Sequence, residues 1–237
     1  MVKRIFVTLL AGVILTSTVA FAKLPFSDIE GHWAEGYITK LANKGVVNGV
    51  TDTTFVPDGQ VTRAQYLKMI MEATGMKTAT PRSGECLDAG VNEWYAPYLQ
   101  SALDNGLIPS AMIMGYKESV QYSVDDNGNA TESKVVYQGA FNGNLPINRE
   151  EMAVLTQYVY QFTRTILTNK KEDTSNVKGF ADGADISDWA LVSVTHAVAN
   201  GFMDGMDDNM FTPRDTATRA QAATVISRVL DKTGEKK

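Results

Sequence analysis

Three arginines, Arg63, Arg149 and Arg219, are the residues whose type and position first suggest chemistry. Each directly follows a residue that commonly caps helices and stands eight positions after a Phe, as Arg63 follows Thr62 and Phe55. A helix N-terminus favours anions, so a cation in the first turn costs roughly several tenths of a kcal/mol. A guanidinium beside free backbone N–H groups would form a pocket for a carboxylate or a phosphate. The alternative, which stays open, is that each Arg pairs with an Asp of its own or a neighbouring segment.

Three tryptophans are the second candidate for ligand contact. Trp33, Trp94 and Trp189 each stand 12 positions before a Gly, with apolar or small residues at helical spacing between them. Aromatic faces stack on sugar rings, which would suit a glycan ligand. A single Trp at the head of an amphipathic helix is more often part of the core, and that interpretation is favoured here.

These residues recur because the chain contains three copies of one helix-loop-helix unit. In each copy the Trp precedes a helix that ends at a Gly able to adopt the left-handed conformation, and the Arg begins a second helix. The second helix starts with a capping box, in which the N-cap residue and a Gln or Glu three positions later satisfy each other's backbone N–H groups. The capping pairs are Thr62 with Gln65, Asn148 with Glu151, and Thr218 with Gln221.

The copies divide the chain into three units and predict a mainly α fold. We place copy one at residues 24–76, copy two at 85–168 and copy three at 178–232. The distance from Trp to Arg is 30 positions in copies one and three but 55 in copy two, so copy two carries 25 extra residues. In this insertion apolar and polar residues alternate on both sides of Asn127-Gly128, which predicts a β-hairpin over about residues 116–140.

The first 22 residues predict secretion. Lys3 and Arg4 precede an apolar run, and Ala20-Phe21-Ala22 has small residues at both positions of a cleavage site, which is typical of a secretory signal peptide over residues 1–22. Without that segment 20 basic and 27 acidic residues remain, a net charge of −7. This balance argues against a general nucleic-acid binder, which needs a basic surface.

Residue types that carry catalysis or bind metals are sparse and scattered. His32 and His196 are the two histidines, and they occupy different positions in their copies. The single cysteine, Cys86, cannot form an intramolecular disulfide and has no catalytic signature around it. No cluster has the spacing of metal ligands. We therefore predict a protein that is not an enzyme and has neither a cofactor nor a metal site.

The repeated motifs resemble S-layer homology (SLH) domains. Copy one carries Phe26-Ser-Asp28, Gly31-His32-Trp33-Ala34 and Thr62-Arg63-Ala64-Gln65, and copy three has similar runs around Trp189 and Arg219. Copy two is more divergent but keeps Trp94, Gly106, Phe141, Arg149 and Glu151. The resemblance covers about residues 24–232. It implies an SLH triplet in a pseudo-threefold arrangement, secreted to the cell wall or S-layer, that binds secondary cell-wall polysaccharide, often pyruvylated, as its partner.

The resemblance also implies which residues contact the glycan. They are the three Arg, an early Asp and the Trp of each copy, and two glycines near the grooves: Arg63, Arg149, Arg219, Asp28, Asp88, Asp182, Trp33, Trp94, Trp189, Gly49 and Gly205. Gln65 and Gln221 depart from the usual Glu, and copy two lacks the Pro that follows Phe in the others. We therefore expect the grooves of Arg63 and Arg219 to be competent. The alternative function is a structural protein whose degenerate repeats bind another envelope or S-layer protein.

Overall fold

The computed structural model describes residues 26–85, 87–164 and 173–234, and this part of the chain is mainly helical. The predicted signal peptide and Cys86 lie outside the described residues. Seven α-helices and one two-stranded sheet follow in chain order: α1 Glu35–Asn43, α2 Arg63–Ala73, α3 Ala96–Asp104, β1 Met114–Val124, β2 Ala130–Ala140, α4 Arg149–Arg164, α5 Ser175–Lys178, α6 Leu191–Ala199 and α7 Arg219–Gly234. Within the described ranges, no helix is both long and apolar enough to cross a bilayer.

The helix ends predicted from the sequence are confirmed by the backbone conformation. Helices α1, α3 and α6 are followed by glycines with positive φ, Gly45 at 69°, Gly106 at 65° and Gly201 at 69°, where a side chain would be strained. Helices α2, α4 and α7 begin at the three arginines. The capping box is complete in α2, where the Thr62 side chain accepts from Gln65 and the Gln65 side chain accepts from Thr62.

Backbone hydrogen bonds connect the segments before α2, α4 and α7 in a closed ring. Val61 N–H donates to Ala217 O at 3.1 Å, Ala217 N–H to Ile147 O at 2.8 Å, and Ile147 N–H to Val61 O at 3.0 Å. These three residues precede α2, α7 and α4, and their side chains are fully buried. The ring therefore brings the first turns of the three Arg-bearing helices close together.

The loop before each Arg-bearing helix packs a Phe into the core in a strained turn. Phe55, Phe141 and Phe211 are fully buried. The next residue has positive φ in every copy, and two of these residues, Val56 at 58° and Thr212 at 52°, are β-branched. That conformation is unfavourable for β-branched residues, so the surrounding contacts must hold it in place.

The predicted hairpin in copy two is confirmed, with strands slightly longer than expected. β1 and β2 pair antiparallel from Met114 opposite Ala140 to Val124 opposite Ala130. Asp125 closes the turn by accepting from the N–H groups of Asn127 and Asn129. Val120, Tyr122 and Val124 on β1 are exposed, so the hairpin extends from the helical body instead of completing its core.

Candidate functional site

Each candidate Asp holds the strained turn of its own copy. The carboxylate of Asp28 accepts from Phe55 N–H and Val56 N–H at 2.8 and 2.7 Å. Asp88 accepts from Phe141 and Asn142 in the same way, and Asp182 from Phe211 and Thr212. Burial raises the pKa of Asp28, but these backbone N–H donors outweigh it and hold the pKa below its usual value. The early Asp residues thus shape the loops, and both oxygens of each are already engaged.

Each candidate Arg extends from its own copy into the loop of another. Nε donates to the carbonyl of a Phe at 2.8 Å: Arg63 to Phe141, Arg149 to Phe211 and Arg219 to Phe55. The guanidinium also lies over that Phe ring, with its central carbon 4.4 to 4.9 Å from the ring centre. Nη2 donates to a second carbonyl in the same copy, at Met112, Asp204 and Asn48 respectively. Through its Nε and Nη2 atoms, each guanidinium therefore links its own copy to another copy.

The expected free backbone donors at the start of these helices are absent from the described structure. Arg149 N–H donates to Asp215 O and Glu150 N–H to Pro213 O, at 3.0 and 2.9 Å, and α2 and α7 make equivalent bonds to other copies. The prediction of a pocket built from helix N–H groups is wrong, because a neighbouring loop already satisfies them. What is left to bind an anion is the third side of the guanidinium, Nη1.

The Nη1 group of Arg63 is occupied by an internal acid. It forms a salt bridge with Glu151, the capping-box residue of α4, and the Arg63 side chain is buried. The alternative of internal pairing thus holds for Arg63, although the partner is a Glu and not an Asp. This environment argues against the expectation that the Arg63 groove is competent.

Arg149 borders a cavity that is lined by residues of all three copies. The cavity holds about 330 Å³ and includes the exposed side chain of Trp33 from copy one and Gln221 and Arg228 from α7. Arg228 forms a salt bridge with Asp204 at 2.6 Å. Arg149 itself forms no ion pair with a described residue and is 4% exposed. Burial lowers the pKa of Arg149 to about 10, although Asp215, Asp182 and Asp204 oppose the shift.

Arg219 borders a smaller, related groove. Its cavity holds about 110 Å³ and is lined by Asn48 of the copy-one loop and by Gln65, Lys68 and Met69 of α2. Burial lowers the pKa of Arg219, while the nearby carboxylate of Asp28 acts in the opposite direction. A second cation, Lys68, lies in this groove where Thr224 lies in the first, and it forms a salt bridge with Glu72 at 2.7 Å.

The favoured interpretation of the tryptophans as core residues is wrong. Trp33 is 60% exposed, Trp94 48% and Trp189 38%, so none of the three lies in the core. Instead, Tyr95 and Ala34, directly after two of them, are the buried members of these segments. Trp33 also lines the cavity at Arg149, where its exposed ring is suited to stacking on a flat ligand face.

The two candidate glycines have a packing role at the same loops. A Cβ on Gly49 would lie 2.2 Å from Thr51 O, and one on Gly205 would lie 2.6 Å from the Phe180 ring. Each directly follows the residue whose carbonyl accepts from Arg219 or Arg149. Copy two has Ile113 at this place, after Met112. Gly49 and Gly205 therefore allow the loop to close tightly around the guanidinium.

Sequence reasoning identified the arginines but missed several of their neighbours. Gln65 and Gln221, which the sequence predicts as capping residues, also line the two grooves. Arg228 and Asp204 were not considered, because nothing in their local sequence distinguishes a groove residue from an ordinary surface ion pair. The described residues contain no group of His, Cys, Asp and Glu arranged to hold a metal ion.

Comparison with known proteins gives consistent matches over most of the chain. The chain is 34% identical to an amylopullulanase of Thermoanaerobacterium thermosulfurigenes over 88% of this chain and 10% of the relative. It is 36% identical to a cellulosome-anchoring protein of Acetivibrio thermocellus over 30% of this chain and 16% of the relative. It is 26% identical to an S-layer protein of Bacillus thuringiensis subsp. finitimus over 93% of this chain and 23% of the relative. The chain thus spans less than a quarter of the length of these relatives.

The family comparison agrees with the motifs of copies one and three. The model of the S-layer homology domain matches residues 25–67 and 179–223, which include Arg63, Arg219 and the Phe and Asp residues of both loops. The chain therefore contains the S-layer homology domain in both of these segments.

Proposed function

We propose that this chain is a non-catalytic binding protein of the cell envelope. It attaches to secondary cell-wall polysaccharide, carrying pyruvyl groups, through the grooves of Arg149 and Arg219. The observation that carries the proposal is the cavity at Arg149, where a buried cation that forms no ion pair with a described residue shares the cavity with an exposed Trp33.

The chemistry of this cavity matches a sugar that bears a carboxylate. A buried guanidinium is destabilised by desolvation, and an incoming carboxylate would offset that cost through a charge-assisted hydrogen bond. The indole of Trp33 offers an apolar face for the sugar ring. A ketal-linked pyruvyl group places a carboxylate rigidly beside such a ring, so both parts of the groove would be engaged together.

The ring of hydrogen bonds supports a pseudo-threefold arrangement of three repeats, copies one, two and three. In that arrangement each groove combines the loop and second helix of one copy, the Arg of the preceding copy in the ring, and the Trp of the remaining copy. The cavity at Arg149 has this composition, with copy three supplying the loop and helix and copy one supplying Trp33. By the same order, Trp94 belongs with Arg219, and Trp189 with Arg63.

The comparisons support a location at the cell surface. An S-layer protein and a cellulosome-anchoring protein both align with this chain. The alignment with the amylopullulanase covers 10% of that relative, which agrees with a segment that binds and leaves catalysis to another part. We therefore place the chain outside the cell, at the cell wall or S-layer.

Titration calorimetry with purified wall polysaccharide tests the proposal. The chain should bind pyruvylated polysaccharide, and chemical removal of the pyruvyl groups should reduce the affinity at least tenfold. Trp33→Ala should weaken binding in the Arg149 groove by about ten- to a hundredfold and leave the Arg219 groove unchanged, since aromatic contacts to a ligand contribute roughly 1–3 kcal/mol. Trp189→Ala is the matched control, because its groove contains the paired Arg63. Equal affinity for both polysaccharides would contradict the proposal.

A second candidate function is binding to another envelope protein through the hairpin. Val120, Tyr122 and Val124 expose apolar surface on one face of β1, and a sheet of two strands also has unpaired edges. Deletion of residues 119–138 with a short turn in their place separates the two functions. Co-purification of an envelope protein that disappears on this deletion supports the second function, whereas polysaccharide binding should survive it.

A further inference from the structure

We propose that strand β1 is an interface for a second copy of this chain. The two β1 strands pair antiparallel, edge to edge, and join two hairpins into one four-stranded sheet. The edge carries an apolar row, which consists of Val120, Tyr122 and Val124. The inference goes beyond attachment to polysaccharide and does not depend on it, because the hairpin contributes no residue to the grooves of Arg149 and Arg219.

The outer edge of β1 exposes backbone groups that can pair with another strand. Asp125 N–H donates to Asn129 O at 2.9 Å, and the Ser123 carbonyl accepts from the Thr131 hydroxyl at 3.1 Å, so positions 123 and 125 direct their backbone groups toward β2. Backbone groups alternate between the two sides of a strand, so those of the apolar row face away from β2. Outside the sheet, no described residue bonds to the backbone of this row. A strand edge in this state is a template for a further strand.

The side chains of the apolar row give a second reason for this edge to be covered. They are 48% exposed at Val120, 64% at Tyr122 and 63% at Val124, and they lie on one face because alternate residues of a strand share a face. Natural proteins protect a free edge with a short strand or a proline, yet β1 has 11 residues and no proline. A hairpin of two strands is marginally stable in water, so pairing with a further strand would stabilise it.

The charges at the two ends of the apolar row favour a second copy as the partner. Lys117 precedes the row, Asp125 follows it, and both are exposed. When Gln121 lies opposite its own counterpart, Lys117 of each copy lies opposite Asp125 of the other. The same alignment places Val120 of each copy opposite Tyr122 of the other. Opposite charges and large apolar residues are cross-strand pairs that stabilise antiparallel sheets, so β1 is complementary to itself.

The neighbouring alignments are less favourable. With Tyr122 opposite its own counterpart, Glu118 of each copy would lie opposite Asp126 of the other, and like charges directly opposite each other are destabilising. With Val120 at the centre, Glu118 would lie opposite Tyr122, and no pair of opposite charges would form. The alignment centred on Gln121 is therefore the favoured one.

Sedimentation velocity of the chain at rising concentration tests the interface. The unchanged chain should shift from the mass of one copy to the mass of two. Val120→Pro removes one N–H from the free edge and should raise the dissociation constant of the dimer at least about tenfold, because symmetry removes one hydrogen bond from each copy. Ser133→Pro is the matched control. Ser133 lies opposite Tyr122, so this proline makes the same change at the outer edge of β2 and should leave the dimer unchanged.

Disulfide trapping tests the alignment, with Cys86→Ser removing the native thiol. The backbone groups of position 121 point toward β2, so its pair across the new interface has no hydrogen bonds and a Cα separation of about 4.5 Å, which suits a disulfide. Gln121→Cys should therefore link two copies on mild oxidation. Ser119→Cys is the control, because its counterpart in the other copy would lie about 13 Å away along the strand.

Three outcomes would overturn the inference. They are a mass of one copy at every concentration, a dimer that both proline variants weaken equally, and cross-linking of Ser119→Cys as fast as that of Gln121→Cys. A different envelope protein that binds the hairpin while the chain stays monomeric would also exclude the second copy as the occupant. None of these measurements involves polysaccharide, so their failure is distinct from failure of the proposed function.

Discussion

Replacing Arg63 with Met should weaken the fold and leave polysaccharide binding intact. Met retains the apolar stem that packs on Phe141 and removes the charge. The variant leaves Glu151, whose side chain is 17% exposed, without its partner, and it frees the buried carbonyls of Phe141 and Met112. Breaking a buried ion pair on one side costs about 3–5 kcal/mol. Since natural domains have a free energy of unfolding of about 5–15 kcal/mol, the variant should stay folded at low temperature but with a much smaller free energy of unfolding.

Urea denaturation followed by circular dichroism measures this loss, and Glu151→Gln provides the second variant of a double-mutant cycle. Glutamine keeps the cap, as Gln65 and Gln221 do in the other copies. The double variant should therefore lose at least about 1 kcal/mol less than the sum of the single variants, because it no longer carries an unpaired charge. A loss under about 0.5 kcal/mol for Arg63→Met, typical of surface substitutions, together with a tenfold weaker affinity, would refute the structural role and make Arg63 a ligand contact.

Two further predictions concern packing and pH. Gly205→Ala should destabilise the fold by about 1–3 kcal/mol, because its Cβ would lie 2.6 Å from the Phe180 ring. Gly36→Ala lies in open space within α1 and should stabilise the fold by about 0.5–1 kcal/mol. Thermal unfolding of both variants measures these opposite changes. The hydrogen bond from Arg82 lowers the pKa of Asp104, so its contribution to stability should be present above the unfolded pKa near 4 and lost as the pH falls through the lower folded value. Denaturation of Asp104→Asn from pH 3 to pH 7 should show a deficit at neutral pH that shrinks in acid, and a constant deficit would contradict the assignment.

The elements whose signals are local could be predicted from the sequence. A capping box such as that of Thr62 and Gln65 involves residues three positions apart, so its geometry follows from residue type and spacing. The same holds for Gly45, Gly106 and Gly201 at the helix ends, and for the Asn127-Gly128 turn of the hairpin. In each case the stabilising contact and the residues that encode it lie in one short segment.

The contact partners of the long arginine side chains could not be predicted. The bond from Arg63 to Phe141 spans 78 positions and the bond from Arg219 to Phe55 spans 164. Repeat spacing shows that these residues are equivalent, but equivalence does not show which copy contacts which. The interpretation of the tryptophans as core residues was wrong for the same reason. Helical spacing indicates which face of α1 is apolar, but it does not indicate whether another copy covers Trp33, which precedes the helix.

In the proposed function, Arg149 and Arg219 combine structural and binding roles that usually compete. A residue that only grips a ligand needs mobility or exposure, whereas these guanidiniums are fixed by two carbonyls and an aromatic ring. Because two sides of the guanidinium are already fixed before the ligand binds, ligand binding costs little further side-chain conformational entropy. It also means that ligand binding and the contact between copies act on the same side chain. Polysaccharide bound at Arg149 should therefore strengthen the junction of copies two and three as well as hold the protein to the wall.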